Sequence, residues 1–268
     1  MTMSVGFLGA GAMAEALIKG VVDSKMFEPE NILISDISPE RIDIMKKKYK
    51  VTAVDEKTLL EKANILVLAV KPNIFDDILP SLQKKFHQEI CYVSIMAGIT
   101  IDHLKKIGLE SQIIRVMPNL CSLIGTGMNV LSKGKKVDPR MAETVENIFR
   151  SVGKALWMDE SKMDVVTAVS GSGPAYVFRF AEAMIRAGVE HGLTENESAT
   201  LVKQTFLGSA NVIDHTDETM SDLVRKVSSP GGTTVAGLSI LEKKNFADMV
   251  DQMIEAAKNR SKELGGNA

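Results

Sequence analysis

Only two cysteines, Cys91 and Cys121, occur in the 268 residues. Both lie in apolar surroundings and read as structural. They offer neither a disulfide framework nor metal-ligand spacing, which fits a reducing cytoplasm and a chain with no metal site. An excess of charge is missing too. Thirty-two basic residues against 34 acidic ones leave a net charge of −2, so there is no electrostatic footprint for nucleic acid or for an anionic membrane surface. The Lys46-Lys47-Lys48 run is short and reads as a solvated helix face. No segment approaches the ~20 apolar residues that a bilayer crossing takes. The apolar first twenty residues lack a basic leader and are interrupted by Glu15, so they are not read as a signal peptide. Histidine is scarce: His87, His103, His191 and His215 all fall on patterns that read as helix surface or helix ends.

What is present begins with core material. At 45% hydrophobic content the chain can fill one large or two medium domains. Fifteen methionines are explained by core filling better than by a methionine-rich recognition surface. Up to about residue 158 strand and helix patterns alternate, with strands expected at 4–8, 31–35, 51–54, 65–70, 90–95 and 112–117. The stretches 125–131 and 155–158 would extend the sheet at one edge. Ser38-Pro39 and Asp138-Pro139 each supply a helix cap followed by proline at the first helical position. After residue 160 everything reads as helix: 162–169, 175–191, 195–215, 221–227, 234–243 and 246–264. Thr194-Glu195-Asn196-Glu197 opens one of these with the form of a capping box. The pattern predicts a Rossmann-type, doubly wound α/β domain over residues 1–160 and an all-helical domain over 161–268.

Ser4-Val5-Gly6-Phe7-Leu8 runs directly into Gly9-Ala10-Gly11-Ala12-Met13-Ala14 and a helical pattern. This is the G-x-G-x-x-A form of the dinucleotide fingerprint in its strand–turn–helix setting. Gly9 permits the tight turn, Gly11 lets the main chain reach a pyrophosphate, and Ala14 allows close helix–strand packing. A tight turn with no ligand is the competing reading. The second strand ends at Asp36, where the fingerprint expects an acid for the ribose hydroxyl of NAD. Such an acid repels the extra phosphate of NADP. Arg41 could partly offset that repulsion, leaving a lean toward NADH. A solvated capping acid is the alternative for Asp36.

Residues 228–238 read Ser-Ser-Pro-Gly-Gly-Thr-Thr-Val-Ala-Gly-Leu. Pro230 fixes a bend, Gly231 and Gly232 let the backbone approach a ligand, and four hydroxyls lead into a helix start that suits a carboxylate or phosphate. An ordinary capped helix start after a Pro-Gly turn remains open on this stretch alone. The helix expected at 175–191 carries Arg179, Glu182, Arg186 and Glu190 in one narrow stripe, with apolar residues over the rest of its circumference. Such a helix is buried nearly all round, either in a symmetric dimer interface or at the centre of its own domain.

Assembled, these residues resemble the pyrroline-5-carboxylate reductase family, essentially end to end. The resemblance is carried by Gly6 to Met13, Ala69-Val70-Lys71-Pro72 and Ser94-Ile95-Met96-Ala97-Gly98-Ile99-Thr100. It continues through Arg115-Val116-Met117-Pro118-Asn119, Gly171-Ser172-Gly173-Pro174-Ala175-Tyr176 and the Ser-Ser-Pro-Gly-Gly-Thr-Thr signature. It implies NADPH- or NADH-dependent reduction of the C=N bond of 1-pyrroline-5-carboxylate to L-proline, by a cytoplasmic homodimer that can assemble further into a decamer. It also implies that Gly9, Ala10, Gly11, Ala12 and Met13 hold the pyrophosphate and that Ala69, Lys71 and Pro72 line the path of the cofactor. Ala97 and Asn119 would lie near the nicotinamide. Ser229, Gly231, Gly232, Thr233 and Thr234 would hold the substrate, with Thr234 nearest the imine nitrogen as the catalytic hydroxyl.

Two departures stand out. Leu120-Cys121 replaces the family's usual Thr-Pro, and Glu56 stands near the position of an asparagine that many members use at the adenosine end. The rival readings are a β-hydroxyacid dehydrogenase-like or other imine-reducing enzyme and a non-catalytic nucleotide-binding scaffold. The first expects a catalytic lysine on the helix after Gly171-Ser172-Gly173, where this chain offers Arg179 and no lysine.

Overall fold

Runs of apolar residues such as Ile65-Leu66-Val67-Leu68 have no polar face to offer solvent, so they settle as strands covered on both sides. In a computed structural model, which describes residues 3 to 266, eight strands form one sheet. They are β1 (Val5–Leu8), β2 (Ile32–Ser35), β3 (Thr52–Ala53), β4 (Ile65–Leu68), β5 (Cys91–Ser94), β6 (Gln112–Met117), β7 (Gly127–Lys133) and β8 (Gly153–Trp157). Their order is β3-β2-β1-β4-β5-β6-β7-β8. The first six are parallel, β7 runs antiparallel to β6, and β8 is parallel to β7. Val5, Ile32 and Ile65 share one register row across β1, β2 and β4, all fully buried.

Between the strands lie α1 (Ala12–Asp23), α2 (Pro39–Tyr49), α3 (Glu56–Lys62), α4 (Phe75–Lys84), α5 (Ile101–Leu104) and α6 (Pro139–Arg150). The expected caps form. Ser38 accepts from the amide of Arg41, and Asp138 accepts from those of Arg140 and Met141. Beyond the sheet come α7 (Met163–Val166), α8 (Gly173–Glu190), α9 (Glu195–Asp214), α10 (Met220–Lys226), α11 (Thr233–Lys243) and α12 (Phe246–Gly266). The Thr194–Glu197 capping box opens α9. The helix expected at 162–169 forms and changes type: α7 widens without a break into a π-turn over Thr167–Gly171, closed by the amide of Ser172 on the Thr167 carbonyl at 2.8 Å. A side chain at Gly171 would collide with Met117 Cε at 2.4 Å, so the wider turn packs against the end of β6 through a glycine.

The chain divides into two compact units, Met1–Ser172 with Glu255–Ala268, and Gly173–Ile254. In the first, the last turns of α12 return to the turn after β5. Gly98 has φ +81°, and a Cβ there would lie 3.0 Å from Leu264 Cβ, while one at Gly265 would lie 2.5 Å from the Gly98 carbonyl. Ser261, buried, donates to Asp164 Oδ1 at 2.7 Å. Arg115 on β6 is 4% exposed and donates to Glu160 Oε1 at 3.2 Å; the same oxygen accepts the Ile101 amide at 2.6 Å. Glu160→Ala leaves that guanidinium buried without its partner. It should cost about 2–3 kcal/mol in urea unfolding, toward the low side for a buried pair because Glu160 keeps some solvent. Arg115→Met added to it should recover part of the loss; a single-variant cost within ~0.5 kcal/mol would mean that water solvates Arg115.

In the second unit Phe180 of α8 meets Phe206 and Phe246 edge-on or tilted, at 6.0 and 6.5 Å between ring centroids. A Cβ on Gly188 would lie 2.2 Å from Ser198 Oγ, so α8 and α9 approach closely there. Even so, no residue of α8 is fully buried in the single chain, and Val177, Phe178, Phe180, Met184 and Val189 are exposed. Leu201, Leu207, Val212 and Ile213 of α9 and Val235 and Ile240 of α11 are exposed as well. The charged stripe is present, with Arg179 paired to Glu182 and Arg186 3.6 Å from Glu190. Apolar surface of this extent marks an interaction face.

Candidate functional site

Strand order reverses between β1 and β4, and in an open parallel sheet the crevice beyond the carboxyl ends at that point receives the ligand. Gly9 follows β1 with φ +100°, a conformation L side chains avoid. A Cβ on it would lie 2.6 Å from the Ala69 carbonyl, just after β4, and its amide donates to Ser35 O at 2.8 Å. The turn therefore ties three strand ends together, and Gly9 is required by the protein itself. Gly11 differs. It is the N-cap of α1 with φ −68°, no side chain caps the helix, and nothing lies within 4 Å of where its Cβ would be. Ala12 beside it is exposed and Met13 half-buried. An uncapped helix start behind an open glycine is a cradle for a phosphate, so these residues fit a dinucleotide.

Asp36 is held by two main-chain donors, Ala10 N on Oδ2 at 2.6 Å and Ser38 N on Oδ1 at 2.8 Å. Arg41 donates from Nε to Ala10 O at 2.8 Å and from Nη2 to Glu15 Oε2 at 2.8 Å. Glu15 also accepts from Lys48 at 2.9 Å and from the Tyr49 hydroxyl at 3.0 Å. Sequence reasoning saw Glu15 only as a break in an apolar stretch. The hydrogen bond from Arg41, then that from Lys48, outweighs partial burial and lowers its pKa from 4.5 to about 2. A carboxylate depressed in this way stabilises the fold above its unfolded pKa and loses that contribution as pH falls through the folded value. Between pH 5 and pH 2 the parent should therefore lose about 1–2 kcal/mol more than Glu15→Gln, after allowance for solvent screening. Urea titrations at stepped pH check this, and identical acid dependence in the two proteins would count against it.

The remaining cofactor candidates ring the same edge of the sheet. Ala69 donates to Leu8 O at 2.8 Å, while Lys71 and Pro72 are exposed at the start of a 3-10 turn before α4. Ala97 is half-buried beside the Gly98 turn. Asn119 accepts the Met128 amide at 3.2 Å and donates to Ser170 Oγ, in the π-turn, at 3.5 Å. At the first departure, Leu120 and Cys121 open a 3-10 turn that runs to Ile124 and packs on α1. At the second, Glu56 accepts a hydrogen bond from the Ser81 hydroxyl.

One histidine corrects the sequence reading. His103 is buried, with its ring 5.2 Å from that of Phe75 and Nε2 3.0 Å from Asp76 Oδ1, because α5 turns inward onto α4. Burial pushes the Cys91 thiol up to about 12, which makes it inert. No cluster of three or more potential metal ligands occurs among the described residues.

The Ser229–Thr234 segment belongs to the helical unit. Gly232 N donates to Ser229 O at 2.9 Å, with Pro230 and Gly231 between them and Gly231 at φ +71°. That is the type II arrangement, in which proline presets the second residue and glycine supplies the third. Gly232 then caps α11 with extended backbone and no side-chain hydrogen bond, Thr233 is exposed and Thr234 half-buried. The first amides of α11 are thus presented bare, as a carboxylate would need.

Fold and glycine loop together define a dinucleotide-binding protein built on a Rossmann-type sheet with a helical second part, and similarity to known proteins makes it an oxidoreductase. Residues 160–264 match the family model for pyrroline-5-carboxylate reductase dimerisation, and residues 4–98 match that for NADP oxidoreductase, coenzyme F420-dependent. A Synechocystis pyrroline-5-carboxylate reductase is 37% identical over 99% of both chains. Among solved structures, the pyrroline carboxylate reductase of Plasmodium falciparum, with NADP bound, superposes with a TM-score of 0.88 at 34% identity over 98% of each chain. The enzyme of Coxiella burnetii gives 0.91 at 32%, over 98% of this chain and 99% of its own. The chain belongs to the pyrroline-5-carboxylate reductase family.

Proposed function

We propose that the protein reduces the C=N bond of 1-pyrroline-5-carboxylate to L-proline at the expense of NADH or NADPH, the last step of proline biosynthesis. The observation that carries this reading is the bare start of α11 behind the Ser229–Gly232 turn, in a chain of this family. Its first amides hold the substrate carboxylate, and Ser229, Gly231, Gly232 and Thr233 shape the rest of the grip. The Thr234 hydroxyl donates to the imine nitrogen, which makes the neighbouring carbon a better hydride acceptor, and a proton from water, passed to the nitrogen directly or through that hydroxyl, completes the amine. Gly9, Ala10, Gly11, Ala12 and Met13 hold the pyrophosphate, Asp36 the ribose, Ala69, Lys71 and Pro72 the cofactor path, and Ala97 and Asn119 the nicotinamide side. The bound nicotinamide supplies the hydride; the protein supplies near-attack geometry.

Residues 1–160 form the nucleotide-binding part and 161–268 the dimerisation and substrate-binding part. The exposed apolar faces of α8, α9 and α11 are covered by a second copy of the chain, and dimers assemble into decamers in the cytoplasm. No helix among the described residues is long and apolar enough to cross a membrane. An assay with racemic pyrroline-5-carboxylate and each reduced nucleotide, following oxidation of the nucleotide and formation of proline, tests the activity. Turnover of a β-hydroxyacid instead would favour the dehydrogenase reading, and nucleotide binding without turnover the scaffold.

A further inference from the structure

Arg41 sits where a 2′-phosphate ligand would be useful, but two of its five N–H donors are committed inside the protein and fix the direction of the rest. It follows the strand end that carries Asp36, and its Nε is fixed on the carbonyl of Ala10, inside the glycine loop. Its Nη2 is taken by Glu15, which Lys48 and Tyr49 hold from the other side. Asp36 cannot swing away, since each of its oxygens receives a main-chain amide, one from the glycine loop and one from the turn before α2. The edge that meets the adenosine ribose therefore presents a fixed carboxylate beside a guanidinium oriented by Glu15 and by the Ala10 carbonyl.

We propose that Glu15 is a specificity-determining residue that withholds Arg41 from a 2′-phosphate, so that with Asp36 it biases this chain toward the cofactor with a free 2′-hydroxyl, NADH. The inference rests on the reading of residues 9–13 and Asp36 as the nucleotide site. Glu15 acts through Arg41 and is a positioning residue. If the pair merely braced α1 on α2, its loss would weaken all nucleotides alike.

Calorimetric titration of the intact protein with AMP and with adenosine 2′,5′-bisphosphate, which differ only in the 2′-phosphate, separates these cases. The parent should bind AMP at least about tenfold more tightly than the bisphosphate. Glu15→Gln should raise bisphosphate affinity about tenfold, as expected for one released charge-assisted contact, while AMP moves less than about threefold. Adding Arg41→Met should erase that gain, and the NADPH-to-NADH ratio of kcat/KM should follow the same order. Arg41→Met alone, which does not depend on Glu15→Gln folding, should leave the parent's bisphosphate affinity within about threefold, because Glu15 holds Arg41 away from that phosphate. Equal affinities in the parent, equal shifts for both nucleotides, or a gain that survives Arg41→Met would overturn the proposal. Failure of the parent to bind either nucleotide would overturn the site reading itself, and the proposal with it.

Discussion

Gly11→Val should fold like the parent and lose dinucleotide binding by about a hundredfold or more, close to 3 kcal/mol. Two local facts separate stability from binding at this position. The backbone of Gly11 is extended, with φ −68° and ψ −178°, so an L residue enters without strain, and no protein atom lies within 4 Å of its Cβ direction. Valine therefore costs the fold little, but it fills the space over the α1 amides where a pyrophosphate would rest. Gly9→Val should do the opposite, because its φ of +100° and the Ala69 carbonyl at 2.6 Å leave no room for a Cβ. Thermal melts alongside titrations with NADH and NADPH distinguish the two variants. Tight binding retained by a folded Gly11→Val protein would place the pyrophosphate elsewhere.

The contrast between these two glycines also shows how far the sequence could be read. The G-x-G-x-x-A loop is a local motif, and its strand, turn and helix formed where expected; β6 occupies 112–117 as read. The other parallel strands lost a residue or more at their ends. The strand expected at 51–54 shrank to Thr52 and Ala53, because only Leu33 and Ile34 of β2 pair with it. Caps were legible for the same reason, since Ser38, Asp138 and Thr194 act within three residues of themselves. What local pattern cannot carry is long-range pairing. Nothing in residues 127–133 announces that β7 runs against β6, or that α12 brings Gly265 back onto Gly98. The Glu15–Arg41 pair joins residues 26 apart through the packing of α1 beside α2, so a linear reading found Arg41 and missed what holds it. His103 was misplaced for a related reason: a four-residue helix has too little periodicity to reveal its buried side.

Thr234→Ala should lower kcat for pyrroline-5-carboxylate by about a hundredfold, within the range for loss of a positioned hydrogen-bond donor to a reacting atom, and should raise KM. Nucleotide affinity should stay nearly unchanged, because the glycine loop and Asp36 lie in the other compact unit. Stability should move little as well: Thr234 is only half-buried near the start of α11, and alanine is the better helix former. These expectations separate a chemical role from a structural one. Thr234→Ser, which keeps the hydroxyl and loses the methyl, should restore most of the turnover, whereas a packing role would follow the methyl instead. The bare amides of α11 remain in every variant, so carboxylate recognition should persist and the loss should fall mainly on kcat. The imine gains reactivity from a donor at its nitrogen, and a hydroxyl supplies one at neutral pH without the titration that histidine or glutamate would bring. The defect should accordingly be constant across neutral pH. A Thr234→Ala enzyme with unaltered kcat and KM would remove the hydroxyl from the reaction and leave binding to the helix start alone.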